Sequence, residues 1–336
     1  MGLDLLTVGD AFHDLIFMGL PRLPRMGEEI KTSQFVATIG GGAVITATAG
    51  ARLGLRTGIV SALSADAVRD LRHSRVSVVN VKRPAEPHAI TVALSTRRDR
   101  SFVTFSGVND GLQQRLPAVV TRLRAGHVHF AFAPARCLRW AVMCAQLRAR
   151  GTTTSWDFGW APSLRTRSGF AQLLRAADFI FVNEVEAALY ARVSSQPAAA
   201  DFWRRSTRNT VIKLGRGGSR WIAPAMDIRA AAMRVKTIET TGAGDAFDGG
   251  FLFAFLRGAA PRDCLGAGNF VGAQSTLAAG GIASLPRSLP AGLVGQVGRL
   301  GQVGRTATMR ATHLRSTRDI RPTRPARPIR PTRPKA

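Results

Sequence analysis

The chain alternates short apolar runs with amphipathic stretches over most of its length, and this alternation limits its fold more than any other feature. The runs LDLLTVG near the amino end and DFIFVN at 178–183 are strand-like, whereas LRWAVMCAQLRAR has the spacing of a helix. Further short apolar runs occupy residues 127–134, 152–159 and 209–215. Apolar strands separated by helices form parallel sheets covered on both faces. We therefore expect a three-layer α/β/α domain with a mostly parallel central sheet.

Two segments interrupt this rhythm with runs that are typical of antiparallel strands. They are residues 14–38, DLIFMGLPRLPRMGEEIKTSQFVAT, and residues 88–106, HAITVALSTRRDRSFVTFS. Because both depart from the main domain and return to it, we expect them to form a small inserted β-sheet. A small sheet beside an α/β domain is suited to serve as a lid over a binding site.

The last part of the chain differs in composition from the rest. Of the net charge of +26 in 336 residues, residues 291–336 carry +10, from ten Arg, one Lys and one acid. Its end, RPTRPARPIRPTRPK, alternates Arg with Pro, which removes hydrogen-bond donors and adds like-charge repulsion. We therefore divide the chain into a folded domain, 1–290, and a basic disordered tail, 291–336. The tail is expected to bind polyanions weakly and without specificity.

The sequence predicts neither a membrane protein nor a secreted one. It has no run near the roughly 20 apolar residues that a spanning helix needs, and MGLDLLTVGD lacks the basic start of a signal peptide. The three cysteines, Cys137, Cys144 and Cys264, have neither disulfide-framework nor metal-site spacing. A cytoplasmic location is therefore expected.

The segment ETTGAGDAFDGGFLFAFLRG, residues 239–258, places three small residues directly before a carboxylate and an apolar helix. The small residues are Gly242, Ala243 and Gly244, the carboxylate is Asp245, and Gly258 is a candidate helix C-cap. Free N–H groups and the positive end of the helix dipole meet at such a terminus, so it is suited to bind an anion. The simpler alternative is that Asp245 only complements the helix dipole.

From about Leu5 to Pro286 the chain resembles the ribokinase-like (PfkB) carbohydrate kinase family. The strongest carrier of the resemblance is TTGAGDAF at 240–247, and the order and spacing of the other motifs support it. Those motifs are Gly9-Asp10 with Asp14, LPRMGE at 23–28, Gly40-Gly41 with ARLG at 51–54, NEVEA at 183–187, KLGRGGS at 213–219, Asn269 and Gly281. The resemblance implies ATP-dependent phosphorylation of a hydroxyl on a sugar or sugar derivative, with Mg²⁺.

The resemblance also implies roles for the residues of the glycine-rich segment. Asp245 would be the general base that accepts the proton of the substrate hydroxyl, and the N–H groups of residues 242–245 would form the anion hole for the phosphoryl group. Because Asp245 lies near a helix amino end, we expect its pKa to be lowered, which suits a loose transition state in which the proton leaves late.

Further residues are assigned to the nucleotide and to the sugar by the same resemblance. Asn183 and Glu186 would orient Mg²⁺ through its waters, while Glu184 is as well explained as a first-turn helix acid. The remaining ATP-binding candidates are Lys213, Gly215, Gly218, Gly244 and Asn269. The sugar-binding candidates are Asp14, whose carboxylate can accept bonds from two hydroxyls, and Gly40 and Gly41, where a polyol could approach the backbone.

The sequence departs from the family pattern at several positions. Ile45 stands where many relatives carry Asn that contacts the sugar, and Asp248 replaces a common Asn. Glu239 stands where Asp is usual beside a monovalent-cation loop, which argues against activation by K⁺. The stretch 64–78 is about ten residues shorter than usual, so one outer helix is expected to be trimmed. Pairing of two lids in a homodimer is a further expectation.

Two other functions remain open at this stage. A nucleoside kinase of the same fold would need an aromatic clamp for a base, and Phe12, Phe102 and Phe105 in the lid segments are candidates for it. A non-catalytic protein that binds nucleotide or nucleic acid would use the basic tail. The intact Gly-Ala-Gly-Asp motif favours an enzyme over the second alternative.

Overall fold

The computed structural model describes residues 2–96 and 100–293. The strands in this part of the chain are β1 (Leu3–Gly9), β2 (Phe12–Leu20), β3 (Gln34–Gly40), β4 (Thr57–Ser61), β5 (Ser77–Asn80), β6 (Ile90–Thr96), β7 (Arg100–Phe105), β8 (Ala125–Ala131), β9 (Thr153–Asp157), β10 (Phe179–Asn183), β11 (Thr210–Lys213), β12 (Ser219–Ala223) and β13 (Met226–Ala230). The helices are α1 (Gly42–Arg52), α2 (Ala65–His73), α3 (Asn109–Leu112), α4 (Leu116–Val120), α5 (Cys137–Ala149), α6 (Phe170–Ala176), α7 (Glu184–Ala191), α8 (Gln196–Ser206), α9 (Ala243–Leu256) and α10 (Pro261–Ser275). From residue 294 on, the predicted tail lies outside the described residues.

The central sheet has nine strands in the order β13-β12-β11-β10-β9-β8-β1-β4-β5. From β11 to β5 all neighbours are parallel, whereas β11, β12 and β13 pair antiparallel. Helices cover both faces, because Leu6 and Val8 of β1 pack into a core with α5 to α8 while Leu5 packs with α9 and α10. The expected three-layer α/β/α fold is confirmed, and the short stretch 64–78 still forms α2.

The small sheet has four strands in the order β3-β2-β6-β7, and we call it the lid sheet. Its two hairpins, β2-β3 and β6-β7, are antiparallel as expected. Its central pair, β2 and β6, is parallel, so the expectation of antiparallel strands throughout was wrong. Between the two hairpins the chain returns to the main sheet through β4 and β5, and it therefore enters the lid twice in the same direction.

The strand register separates the lid sheet into an inner and an outer face. Asp14 pairs with Thr91, and Thr91 pairs with Thr104, so these three residues lie on one face. Ile16 lies on the same face and is fully buried, which identifies it as the inner face. The outer face exposes three large apolar side chains: Phe35, Val103 and Phe105.

Helix α9 begins and ends at glycines with positive φ. Gly242, with φ of 73°, is its N-cap, and Gly258, with φ of 75°, follows its C-cap. At the carboxyl end, the Gly258 N–H donates to the Phe255 carbonyl and the Ala259 N–H donates to the Ala254 carbonyl, which is a Schellman motif. The sequence-predicted helix and its glycine stop are thus confirmed.

No helix among residues 2–96 and 100–293 combines the length and apolarity that a membrane crossing needs. The three cysteines, which all lie in this part of the chain, are free and buried. Cys137 and Cys144 both lie in α5, so they are core thiols, as their helical spacing indicates.

A row of hydrogen-bonded polar side chains crosses β8 and β9 beneath α9. His127 bonds Thr153 Oγ1 at 2.8 Å and Ser155 Oγ at 2.7 Å, and His129 Nδ1 bonds the same Ser155 Oγ at 2.8 Å. Both histidines are completely buried. Burial lowers the pKa of His127 to about 3 and that of His129 to about 4, so both rings are neutral near pH 7.

These buried histidines should make the fold sensitive to acid. Below pH 6.5, the ordinary histidine pKa, these imidazole rings become protonated in the unfolded chain but stay neutral in the folded protein. Stability is therefore lost as the pH falls from 6.5 towards 3, by about 1.4 kcal/mol per pH unit for each ring. We expect His127→Gln to lose less melting temperature than the parent between pH 7 and pH 5.

The loss of melting temperature between the two pH values is compared between parent and variant. An absolute loss would mislead, because buried acids with raised pKa values stabilise the fold as the pH falls, opposite to the histidines. His73→Gln, at the exposed end of α2, is the control for loss of a histidine. If the parent, His127→Gln and His73→Gln all lost the same melting temperature between the two pH values, the interpretation of His127 as a buried neutral ring would be wrong.

Candidate active site

The candidate site lies at the edge of the central sheet where the parallel strands end. Asp157, Asn183 and Lys213 are the last residues of β9, β10 and β11, and helices α1 and α9 begin at the same edge. A cleft of about 1190 Å³ opens there. Among its lining residues are all the candidates predicted for catalysis and for ATP: Asn183, Glu186, Lys213, Gly215, Gly218, Gly242, Ala243, Gly244, Asp245 and Asn269.

Asp245 lies in the first turn of α9, where the amino ends of α9 and α1 meet. A Cβ atom on Gly42 would be 2.8 Å from Asp245 Oδ1, and Thr46 of α1 donates a 3.0 Å hydrogen bond to the Asp245 carbonyl. The side chain keeps partial exposure to the cleft. This close approach of the two helices explains why α1 begins with glycines.

The pKa of Asp245 does not follow the sequence-based expectation. Burial and the charges of Asp157 and Asp14 together raise it to about 7, against the opposing effect of Lys213. The expected lowering by the helix amino end was wrong, because withdrawal from water and neighbouring acids outweigh a half-charge dipole. A carboxyl with a pKa near 7 is a stronger base than an ordinary Asp.

The glycine-rich turn before α9 is the predicted anion hole. The Ala243 N–H donates to the Thr240 carbonyl at 3.2 Å, so this amide already has an acceptor. The N–H groups of Gly244 and Asp245 belong to the first turn, where no intrahelical acceptor exists. Arg100 of the lid strand β7 donates to Thr240 Oγ1, which connects the lid sheet to this turn.

The sugar-binding candidates form a second group beside Asp245. A Cβ atom on Gly40 would lie 1.8 Å from Asp14 Oδ2, so only glycine permits this approach of β3 to the carboxylate. Gly41 is the N-cap of α1, with φ of 95°. Burial raises the pKa of Asp14 to about 7, and the charge of Glu239 adds to the effect. Asp14 thus lies on the inner face of the lid sheet, close enough for its charge to act on Asp245.

Asn183 and Glu186 form a capping box at the start of α7. Asn183 Oδ1 accepts the Glu186 N–H at 2.8 Å, and Glu186 Oε2 accepts the Asn183 N–H at 2.9 Å. Burial and the charge of Asp157 raise the pKa of Glu186 to about 7. Glu184 lies in the first turn of α7, as expected for a helix acid, and it pairs with Gln196 on the exposed surface.

The remaining oxygen of Glu186 decides whether this pair suits a hydrated divalent cation. Within the described ranges Glu186 Oε1 accepts no hydrogen bond, and the side chain lines the cleft. Hard cations such as Mg²⁺ prefer carboxylate and water oxygens. One carboxylate oxygen directed to a cleft, with the other fixed by a backbone N–H, fits such a role.

Lys213 has a different environment from the one predicted. Its ammonium lies 2.6 Å from Asp157 Oδ2 and 3.2 Å from Asp248 Oδ1, and its side chain is 11% exposed. Asp157 was missed by the sequence analysis, although a carboxylate ending a buried parallel strand marks this edge of the sheet. Burial raises the pKa of Asp248 well above its ordinary value, which favours the protonated form of this carboxyl. A protonated carboxyl donates a hydrogen bond as an amide does, which accounts for Asp in place of the common Asn.

The glycines after β11 and Asn269, a predicted ATP-binding residue, lie on the far side of the cleft. Gly215–Gly217 form a 3₁₀ turn, and a Cβ atom on Gly218 would lie 2.1 Å from the Ala230 carbonyl oxygen. Asn269 Nδ2 donates to the Ala231 carbonyl at 2.9 Å, so it holds the end of β13 at the rim of the cleft.

Two departures from the family pattern have structural explanations. Ile45 is 2% exposed and packs with Ala246, and its Cδ1 atom fills the space where Gly242 would carry a Cβ. Glu239 Oε1 accepts the Thr241 N–H at 2.7 Å and its hydroxyl at 2.6 Å. Both residues therefore brace the turn that leads into α9.

A cleft that contains the glycine-led amino end of α9, with a carboxylate of raised pKa beside it, is suited to bind a phosphoryl group. A model of the pfkB family of carbohydrate kinases matches residues 3–288. The chain belongs to this family. It is therefore a phosphotransferase acting on hydroxyl groups. This argues against the alternative of a non-catalytic binding protein. The family implies ATP and a divalent metal ion.

Individual relatives cover most of the chain. The ribokinase of Mus musculus is 26% identical over 312 residues, which cover 86% of this chain and 94% of that protein. The nucleoside kinase of Methanothermobacter thermautotrophicus is 27% identical over 272 residues, 78% of this chain and 85% of that protein. The solved structure of adenosine kinase from Sinorhizobium meliloti matches with a TM-score of 0.73 at 23% identity, covering 86% of this chain and 98% of that one. The relatives thus include both sugar and nucleoside kinases.

Proposed function

We propose that the protein transfers the γ-phosphoryl group of ATP to a hydroxyl of a sugar or sugar derivative, with Asp245 as the general base. The hydroxyl proton passes to the Asp245 carboxylate, and the hydroxyl oxygen bonds to the γ-phosphorus. The bond from that phosphorus to the β–γ bridging oxygen breaks, and ADP leaves. The first-turn N–H groups of Gly244 and Asp245 stabilise the charge on the transferring group.

The roles of the remaining residues follow from their positions. Glu186 and Asn183 would hold Mg²⁺ through its waters, and the metal would neutralise charge on the triphosphate. Gly215, Gly218 and Asn269 border the nucleotide, and Asp14 with Gly40 and Gly41 receives the sugar hydroxyls. Glu239 Oε1 accepts two hydrogen bonds from Thr241, while its buried Oε2 accepts none among the described residues, so a role for K⁺ stays a prediction.

The observation that carries this proposal is the position of Asp245 between the cleft and Asp14 of the lid sheet. The carboxylate lines the cleft, while Gly42 and the charge of Asp14 mark its other side. An acceptor hydroxyl held by Asp14 would therefore meet a phosphoryl group at the amino end of α9. The experiment is a panel of sugars, sugar acids and sugar phosphates with ATP, read by coupled release of ADP. Substrate-independent hydrolysis alone would contradict the proposal.

A nucleoside substrate is the second candidate, and the lid sheet provides an observation in its favour. Phe12 and Phe102 share the inner face with Asp14, and Phe102 is 48% exposed beneath the Arg100 guanidinium. Phe105 lies on the outer face, so it is excluded from a base clamp. These inner rings could stack on a base or on the apolar face of a sugar.

The variant Phe102→Ala separates the two substrates. A base stacked on an aromatic ring contributes about 1–3 kcal/mol, so we expect the KM of a nucleoside to rise about fivefold to 150-fold if a nucleoside is the substrate. Phe105→Ala on the outer face is the matched control. Steady-state kinetics with the best sugar and the best nucleoside decide between the two substrate classes. An unchanged nucleoside KM in Phe102→Ala would show that Phe102 does not stack on a base.

Two further expectations concern assembly and location. The exposed outer face of the lid sheet, with Phe35, Val103 and Phe105, supports a homodimer in which two lids pair. The three buried free thiols support a reducing compartment such as the cytoplasm.

A further inference from the structure

Lys213 connects three elements at the centre of the site. It ends β11, and its ammonium contacts Asp157 at the end of β9 and Asp248 in the second turn of α9. The same ammonium lies 3.4 Å from the Gly244 carbonyl in the first turn of α9. One buried cation therefore joins the edge of the sheet to the helix that carries Asp245.

The carboxylates around this cation are crowded. Oxygen atoms of Asp157, Asp245 and Asp248 all lie within 4.8 Å of one another. Like charges at such distances oppose each other's ionisation unless a cation compensates them. Burial would lower the pKa of Lys213, yet Asp157 and the other acids raise it, so the lysine is charged. Burial would raise the pKa of Asp157, but Lys213 holds it below its ordinary value.

We propose that Lys213 is a positioning residue for Asp245 and not an ATP ligand. Held between Asp157 and Asp248, it fixes the first turn of α9 against the sheet and compensates the Asp157 charge, so that Asp245 can ionise and accept a proton. This inference rests on the proposed role of Asp245 as the base. It assigns to the lysine of the KLGRGGS segment a function that is separate from the glycines that follow it.

The geometry favours this role over nucleotide binding. The Lys213 side chain is 11% exposed, and its ammonium has acceptors in Asp157, Asp248 and Gly244. A phosphate ligand would have to take the lysine from a 2.6 Å ion pair with a carboxylate that is itself 8% exposed. Such an exchange would leave Asp157 buried and unpaired, which is strongly unfavourable.

The electrostatic surroundings of Asp245 fix the direction of the expected effects. The titratable and charged groups that face it come from five elements: Asp157 on β9, Lys213 on β11, Asp14 on β2, Glu186 on α7 and Asp248 on α9 itself. Of these, Lys213 alone is a cation. Its removal should therefore raise the pKa of Asp245, and removal of the Asp157 charge should lower it.

The test is the pH dependence of kcat in three variants of the full chain. In Lys213→Gln we expect the acidic limb to move to higher pH by about one unit or more, and in Asp157→Asn to move to lower pH. In the double variant D157N/K213Q both charges are gone, and the limb should return towards that of the parent. The KM for ATP should stay within about threefold in all three, because none loses a nucleotide contact.

Folding is controlled within the same set. Loss of one partner of a buried ion pair is strongly destabilising, whereas loss of both is often tolerated. If Lys213→Gln fails to fold, Asp157→Asn can be compared with the double variant, because these two differ only in the lysine. The acidic limb of the double variant should lie at higher pH than that of Asp157→Asn. Lys213→Arg should restore most of the parent profile, and Lys31→Met, at an exposed lysine, should leave the limb in place.

The outcomes distinguish this inference from the proposed function. A rise of tenfold or more in the KM for ATP in Lys213→Gln, with an unmoved limb, would make Lys213 a nucleotide ligand and overturn the inference. The inference would also be overturned if the acidic limbs of Lys213→Gln and Asp157→Asn did not move in opposite directions. If instead Asp245→Asn retained the parent turnover, the base assignment itself would be wrong, whatever the lysine variants showed.

Discussion

Asp245→Asn is expected to abolish phosphorylation while ATP affinity stays within a few-fold of the parent. The amide keeps the shape of the carboxylate but cannot accept the hydroxyl proton, and loss of a general base costs about 10²–10⁴ in rate. The folded protein raises the pKa of Asp245 from 3.8 to about 7, so stability is lost as the pH rises from about 4 to 7 and the whole loss is present at pH 8. The amide should therefore not lower the melting temperature at pH 8, which separates lost chemistry from lost folding.

The control for this variant addresses the simpler interpretation that Asp245 only complements a helix dipole. Asp66 is an exposed acid in the first turn of α2. Asp66→Asn removes a comparable dipole interaction and should leave turnover unchanged. Single-turnover rates and nucleotide binding measured for both variants give the answer. A parent-like rate in Asp245→Asn would refute the assignment of the base.

Asp14→Ala is expected to raise the KM for the sugar strongly and to leave the KM for ATP nearly unchanged. A hydrogen bond to a charged partner contributes about 1.5–3 kcal/mol, so loss of one bond corresponds to a rise of about tenfold to 150-fold. Asp14 lies on the lid sheet, outside the residues that line the nucleotide cleft. Its loss should therefore affect one substrate and not the other.

The raised pKa of Asp14 adds a pH signature to this prediction. Because burial raises that pKa to about 7, protonation should compete with the sugar hydroxyls, and the parent KM for sugar should rise as the pH falls below 7. In Asp14→Asn the contribution of this group to the pH dependence is absent. Glu29→Ala, at an exposed acid between β2 and β3, is the control. A loss of ATP affinity in Asp14→Ala would show that the substrate site is wrongly placed.

The sequence was sufficient to predict the architecture and the position of the site. Alternating apolar runs predicted the parallel sheet, because β1, β8, β9, β10 and β11 are each buried on both faces. The TTGAGDAF segment predicted the start of α9, because glycine with positive φ and an apolar helical period are local features. Such features are readable from neighbouring residues alone.

The failures concern properties that depend on residues far apart in the chain. The pKa of Asp245 was expected to fall, but burial by α1 and the charge of Asp157, which lies 88 positions earlier, raise it. The partners of Lys213 were missed because β9, β11 and α9 meet only in the folded sheet. The roles of the other predicted site residues remain predictions, since position in a cleft does not establish contact with a ligand.

The parallel pairing of β2 with β6 has a consequence for how the enzyme is assembled. These strands lie about 70 residues apart in the chain, and β4, α2 and β5 must join the central sheet between them. Non-local pairings form late because the entropy of closing a long loop must be overcome first. During synthesis or refolding, therefore, the lid sheet is expected to be completed only after β4, α2 and β5 have formed, and the inner face that carries Asp14 would be among the last parts of the site to mature.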